Sequence, residues 1–151
     1  MKKNICTTLL ITLCIVVGCT SKTKYVRDTS EGEVIEITLS EWETKMEDKD
    51  SFLVVFSQLY CNGCNQFHKM LDTYLPNHNI NVYEVILDYE SGMQLDNQDR
   101  INVYLSDFSQ TPGVYYIEKG KRKEQLLPVD AIKEDEFDKF IETYQLDKVI
   151  E

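Results

Sequence analysis

Cys61 and Cys64 stand two residues apart and are the residues best placed to do chemistry in this chain. A thiolate is the nucleophile of disulfide exchange. At this spacing one thiol can attack a partner's sulfur, and the other can then attack the mixed disulfide. Asn62 and Gly63 between them add no charge and no bulk. Phe52 to Phe56, just before, is a continuous apolar run that reads as a central strand covered on both faces. Phe67, Met70, Leu71 and Tyr74 follow at helical spacing. The pair therefore opens a helix, whose partial positive charge and free N–H groups favour a thiolate, and Cys61 is expected to be the nucleophile. Two other uses of the cysteines stay open. A disulfide of this spacing closes a small, strained ring and makes a poor staple. A zinc site with His68 and His78 is conceivable, but structural zinc wants four committed ligands. His68, one helical turn after Cys64, is either a surface residue or a proton-handling group.

The rest of the chain supplies elements to hold such a pair. Val34 to Leu39 alternates like a strand. Ser40 before Glu41-Trp42-Glu43 has the signature of a capping box, opening a short helix with Trp42 and Met46 on one face. Ile80 to Leu87 is a further strand, and Met93, Ile101, Tyr104 and Leu105 suggest a helix. Val114 to Ile117 and Glu124 to Leu127 read as short strands around a Lys119-Gly120-Lys121 turn, and Phe137, Phe140, Ile141 and Tyr144 as a last amphipathic helix. Alternation of strands and helices favours parallel pairing of the first three strands, and the short connection makes the last two an antiparallel hairpin. The expectation is an α/β domain with a mixed central sheet flanked by helices. Tyr60, Tyr115 and Tyr116 are read first as packing residues.

At 151 residues, with 42% hydrophobic and 28% charged residues, the chain fits one domain plus extensions. A formal charge of −10 argues against a nucleic-acid partner. Lys2 and Lys3 precede an uncharged apolar stretch, Ile5 to Val17, which is short for a membrane span and reads as the core of a signal peptide. It ends in Val16-Val17-Gly18-Cys19, which resembles the lipobox of bacterial lipoproteins. The resemblance implies cleavage before Cys19, lipidation of Cys19, and a protein held by a lipid anchor on the extracytoplasmic face of a cell membrane. Residues 1–18 are then a signal peptide, 19–33 a lipidated cysteine and flexible tether, and 34–151 the domain. Cys6 and Cys14 leave with the signal peptide, so Cys61 and Cys64 are the only thiols of the folded part, in a compartment without the reducing cytosol.

Far from the cysteines, Thr111-Pro112-Gly113 precedes a strand and a turn. With the strand–Cys-x-x-Cys–helix order and the Lys119-Gly120-Lys121 hairpin, this resembles the thioredoxin superfamily over roughly residues 34 to 146. The resemblance implies a thioredoxin-like fold, Cys61 as attacking and Cys64 as resolving thiol, and a cis Pro112 packed beside the disulfide. It also implies a substrate-binding surface at Tyr60, Thr111 and Pro112, with the Thr111 backbone free to pair with an extended segment. Three positions depart from thioredoxins proper. Tyr60 replaces the usual Trp, Val55 a buried Asp that serves the resolving thiol, and Lys69 a helix-kinking Pro. Phe52 to Leu75 also looks like the bacteriocin-accessory group of thioredoxin-like proteins, which implies work on disulfides of small secreted peptides.

The chain thus reads as an extracytoplasmic thiol–disulfide oxidoreductase acting on cysteines of exported proteins or peptides. The redox disulfide would be its only electron carrier, with no metal or organic cofactor, and a membrane redox partner would reset it. The competing reading is a tethered thioredoxin-fold binding protein, chaperone or redox sensor without turnover.

Overall fold

Phe52-Leu-Val-Val-Phe56 forms the middle of the sheet, and all six residues of β2 (Phe52–Ser57) are buried. A computed structural model describes residues 24–127 and 131–149. The expected signal peptide, Cys19 and the first part of the tether lie outside these residues. Around β2 the chain runs β1 (Glu33–Glu36), α1 (Leu39–Glu47), β2, α2 (Asn62–Tyr74), β3 (Asn81–Ile86), α3 (Gln94–Tyr104), β4 (Gly113–Glu118), β5 (Lys121–Leu126) and α4 (Glu134–Tyr144). The five strands lie in the order β1-β3-β2-β4-β5. β1, β3 and β2 are parallel, whereas β4 and β5 are antiparallel to their neighbours. This is the mixed sheet expected from the alternation of elements.

The period-two pattern of β2 divides the core. Phe52, Val54 and Phe56 face α1 and α3, where Trp42, Ile101 and Tyr115 pack. Leu53 and Val55 face α2 and α4, against Phe67, Leu71, Phe137 and Ile141. Because β2 and β3 are parallel, Ser57 and Ile86 end at the same edge of the sheet, and Gly113 enters β4 opposite Phe56 there. The Cys61–Cys64 segment and Thr111-Pro112 therefore meet at one end of the sheet, where loops are freest to carry function.

Local boundaries differ from expectation: β1 stops at Glu36, so that Leu39 opens α1 instead of closing the strand, and the cap of α1 and the start of β5 also move. The cap of α1 is Thr38, not Ser40: Thr38 accepts from the Glu41 N–H, and the Glu41 carboxylate accepts from the Thr38 N–H at 2.7 Å. Glu43 is instead paired with Arg100. The hairpin strand β5 begins at Lys121, earlier than its apolar end suggested, because Lys119 and Gly120 alone make the turn. Both have positive φ, 54° and 69°, the conformation of a two-residue hairpin turn. The Gly120 N–H donates to the Asp50 carbonyl at 2.8 Å, and a Cβ there would lie 2.3 Å from the Met46 oxygen.

From Lys24 onward the segment before β1 is paired with the rest of the chain. Arg27 pairs with Lys148 in an antiparallel bridge, and the Gly32 and Glu33 N–H groups donate to Leu75 and Ile80. Charge holds this strap in place. Arg27 Nε lies 3.0 Å from Oδ2 of the fully buried Asp147, and its Nη1 lies 2.5 Å from Asp138. Tyr25 also donates to Asp147, and Tyr74 to Asp138 at 2.8 Å. Burial opposes ionisation of Asp138, but the hydrogen bonds from Tyr74 and Arg27 outweigh it and hold the carboxyl below its ordinary range. Removing the cation leaves Asp147 buried without it. Arg27→Met should therefore cost about 3 kcal/mol in a denaturant titration, and adding Asp147→Asn should recover part of that loss.

Tyr115 on β4 is wholly buried, and burial pushes its phenol up to about 12. An unfolded chain ionises tyrosine near 10, so between about pH 10 and 12 only the unfolded state loses this proton. Stability is expected to fall across that window by about 1.4 kcal/mol per pH unit from this group alone. Urea midpoints measured from pH 9 to 12 check this, and Tyr115→Phe should flatten the slope.

Candidate active site

α2 begins where the cysteines stand. Cys61 is its N-cap residue, in extended conformation (φ −101°, ψ 111°), and Cys64 lies in its first turn. The Cys64 N–H points at the Cys61 sulfur at 3.1 Å, and the Asn65 N–H donates to the Cys61 carbonyl at 3.1 Å. A sulfur that accepts a helix N-terminal N–H is stabilised as an anion. The two sulfurs are bonded to each other, with Cα atoms 5.2 Å apart. Exposure separates the two: Cys61 is partly open, while Cys64 is 1% exposed. Cys61 is therefore the more accessible of the two to a partner molecule.

Thr111 and Pro112 flank the pair. The Thr111–Pro112 peptide bond is cis. The Thr111 carbonyl lies 3.5 Å from Cys61 Sγ, a contact that becomes a hydrogen bond only when the thiol carries its proton. The Thr111 hydroxyl donates to Gln58 Oε1 at 2.9 Å, which fastens the proline loop to the segment between β2 and α2. The Leu59 N–H is fixed by Asp88 at 2.8 Å. The absence of bulk at Gly63 is used by the chain itself: a Cβ there would sit 3.1 Å from the Pro112 ring. Gly63→Val should push that ring and Thr111 away from Cys61 and slow exchange about tenfold, on the order of the effect of displacing a positioning group by a fraction of an ångström. Exchange rates with the variant and with Gly63→Ala check this, with Ala affected less.

Tyr60, read both as a packing residue and as part of a binding surface, does not pack. It is 97% exposed beside Cys61, with Leu59 at 43%. Tyr115 packs in the core and Tyr116 partly so. Val55, at the position where thioredoxins carry a buried acid, lines the core under α2. His78 stacks on Tyr74 at 3.6 Å and contacts Arg27, remote from the cysteines in this network. His68 is engaged by a residue that sequence reading passed over. Its Nε2 lies 2.6 Å from Oε1 of Glu84, a carboxylate only 6% exposed on β3. The signal that could have found it was a charged residue inside Ile80 to Leu87, a strand otherwise destined for burial.

No protein-family model matches the sequence, and no curated protein matches it. Solved structures do. A mutant thioredoxin of Halobacterium salinarum is 15% identical, with a TM-score of 0.55 over 81% of this chain and 97% of that one. Thioredoxin O1 of Arabidopsis thaliana in the oxidised state is 17% identical, with a TM-score of 0.51 over 76% of this chain and 98% of that one. A thioredoxin of Malassezia sympodialis is 12% identical, with a TM-score of 0.55 over 81% and 96%. The fold is thioredoxin-like: a mixed five-stranded sheet flanked by four helices.

Proposed function

We propose that this chain is a thiol–disulfide oxidoreductase of exported proteins or peptides, tethered by lipid at Cys19 to the outer face of a cell membrane. The observation that carries the reading is the partly exposed Cys61 at a helix N-cap, its sulfur bonded to a buried Cys64 and bordered by the Thr111 carbonyl. In the reducing direction the Cys61 thiolate attacks one sulfur of a substrate disulfide. The substrate S–S bond breaks and one substrate thiolate leaves. The Cys64 thiolate then attacks Cys61 Sγ, the second substrate thiolate leaves, and two electrons have passed to the substrate. In the oxidising direction every step runs backwards. The Cys61–Cys64 pair is the electron carrier, so no metal or organic cofactor enters, and a membrane redox partner resets the pair.

Tyr60, Leu59 and the Thr111 backbone would receive an extended cysteine-bearing segment, a size and shape suited to small secreted peptides. The direct test mixes the full chain, purified in detergent, with a two-cysteine peptide. Oxidised chain with reduced peptide, and the converse, should exchange one disulfide per chain, read by mass after alkylation. Absence of transfer in both directions would leave a tethered binding domain instead.

A further inference from the structure

Resolution of a mixed disulfide places a demand on Cys64 that the helix N-terminus does not meet alone. Cys64 is 1% exposed, so its thiol proton has no direct route to water. A buried thiol is disfavoured as a thiolate, and the thiolate is the species that attacks. Some group must take that proton within the protein.

His68 follows Cys64 by four residues on α2, one turn along the same face, where side chains are neighbours. The His68 side chain is 39% exposed, and its Nε2 meets Glu84 at 2.6 Å. Glu84 stands in the centre of β3, in register with Val55 on β2 and Glu36 on β1. Register partners in parallel strands project from the same face, and Val55 lies in the core under α2. The charged and titratable groups around Glu84 are thus His68 from α2 and Glu36 from β1; β2 offers Val55, and the buried face of α4 offers Phe137, Phe140 and Ile141. Burying a carboxylate is a costly way to gain stability, since an apolar residue in its place does as well. A buried carboxylate on an imidazole one helical turn from a buried thiol has another use.

We infer that Glu84 and His68 act as the proton-handling pair of Cys64, Glu84 orienting the neutral imidazole that takes the proton and stabilising the imidazolium that results. This rests on the exchange reading above. When Cys64 attacks Cys61 Sγ of the mixed disulfide, its proton passes to the pair and on to solvent through the partly exposed His68. The Cys61–substrate S–S bond breaks, the Cys61–Cys64 bond forms, and the substrate leaves as a thiolate. In the oxidising direction the pair returns the proton to Cys64. Glu84 works through His68 and is a positioning residue.

An aromatic disulfide dye separates the steps, because it releases one chromophore when Cys61 forms the mixed disulfide and a second when Cys64 resolves it. With the full-length reduced chain, Glu84→Gln should slow the second release about thirtyfold at pH 7, within the usual range for a general base. The deficit should shrink steadily as the pH rises toward the ionisation of the thiol itself. Glu84→Asp should restore part of the rate at pH 7. His68→Gln, at a half-exposed site, should reproduce the shifted profile even if Glu84→Gln folds poorly. Slowing by the same factor at every pH would mean a structural role only and overturn the inference, as would an unchanged profile. Loss of the first release from the wild type is a different failure, and would overturn the exchange reading itself.

Discussion

Cys61→Ser is expected to abolish disulfide exchange, a loss of at least about a thousandfold, because no other thiol of the folded domain is open to a partner and able to start the reaction. Cys64→Ser should behave differently. The partly open Cys61 still attacks, but nothing expels the substrate, so a mixed disulfide accumulates one to one with the chain. Mass measurement under non-reducing conditions reads both outcomes at once. The asymmetry follows from exposure and capping: Cys61 accepts the Cys64 N–H and borders Thr111, whereas Cys64 is buried in the first turn of α2. If Cys64→Ser forms no adduct while Cys61→Ser does, the roles are reversed. If a variant lacking both sulfurs keeps full activity in the cell, the chain works by binding and not by exchange.

The largest expected loss of stability comes from Trp42. Its side chain is fully buried and packs edge-on against Phe56 and Tyr104, with ring centroids 5.2 and 5.4 Å away. Phe56 in turn lies near the end of the strand that leads into the cysteine segment. Trp42→Ala should cost about 4 kcal/mol, the usual penalty for emptying an aromatic site. For a domain of this size that lowers the melting temperature by about 15 °C. Trp42→Phe is the informative control. The indole N–H is buried with no hydrogen-bond partner, so phenylalanine removes an unpaired donor while keeping most of the ring contacts. Its cost should be about 1 kcal/mol or less. Calorimetry of both variants checks the pair, and equal losses would mean that the indole N–H is satisfied in solution.

The features legible in the sequence were those with a strong local cause. The unbroken apolar run of β2, the turn at Lys119-Gly120 and the spacing of Phe67, Leu71 and Tyr74 each depend on neighbours in the chain, and each element formed where its pattern stood. Thr111-Pro112 was legible through resemblance, and it lies beside Cys61. What escaped depends on partners distant in sequence. Thr38-x-x-Glu41 and Ser40-x-x-Glu43 are overlapping capping boxes, and the choice between them turns on Arg100, which engages Glu43 and Ser40. The first residues of β5, Lys121 to Glu124, are all exposed and read as loop because they form an edge strand, where charge discourages further pairing. Residues 24–28 read as linker by composition, and their pairing with Asp138, Asp147 and Lys148 depends on residues over a hundred positions away. Glu84 was hidden by the strand around it, and its meaning appears only when His68 is seen across from it.

Whether Cys61–Cys64 is a working redox pair or a staple is tested most directly by its reduction potential, measured by equilibrating the full chain in defined thiol buffers and counting alkylated sulfurs by mass. A working pair should titrate as a single two-electron couple between about −270 and −120 mV, the span of known dithiol carriers from reductant to oxidant. Its place within that span gives the direction of electron flow. A disulfide still intact below about −300 mV has the poise of a structural bridge and would contradict the exchange reading.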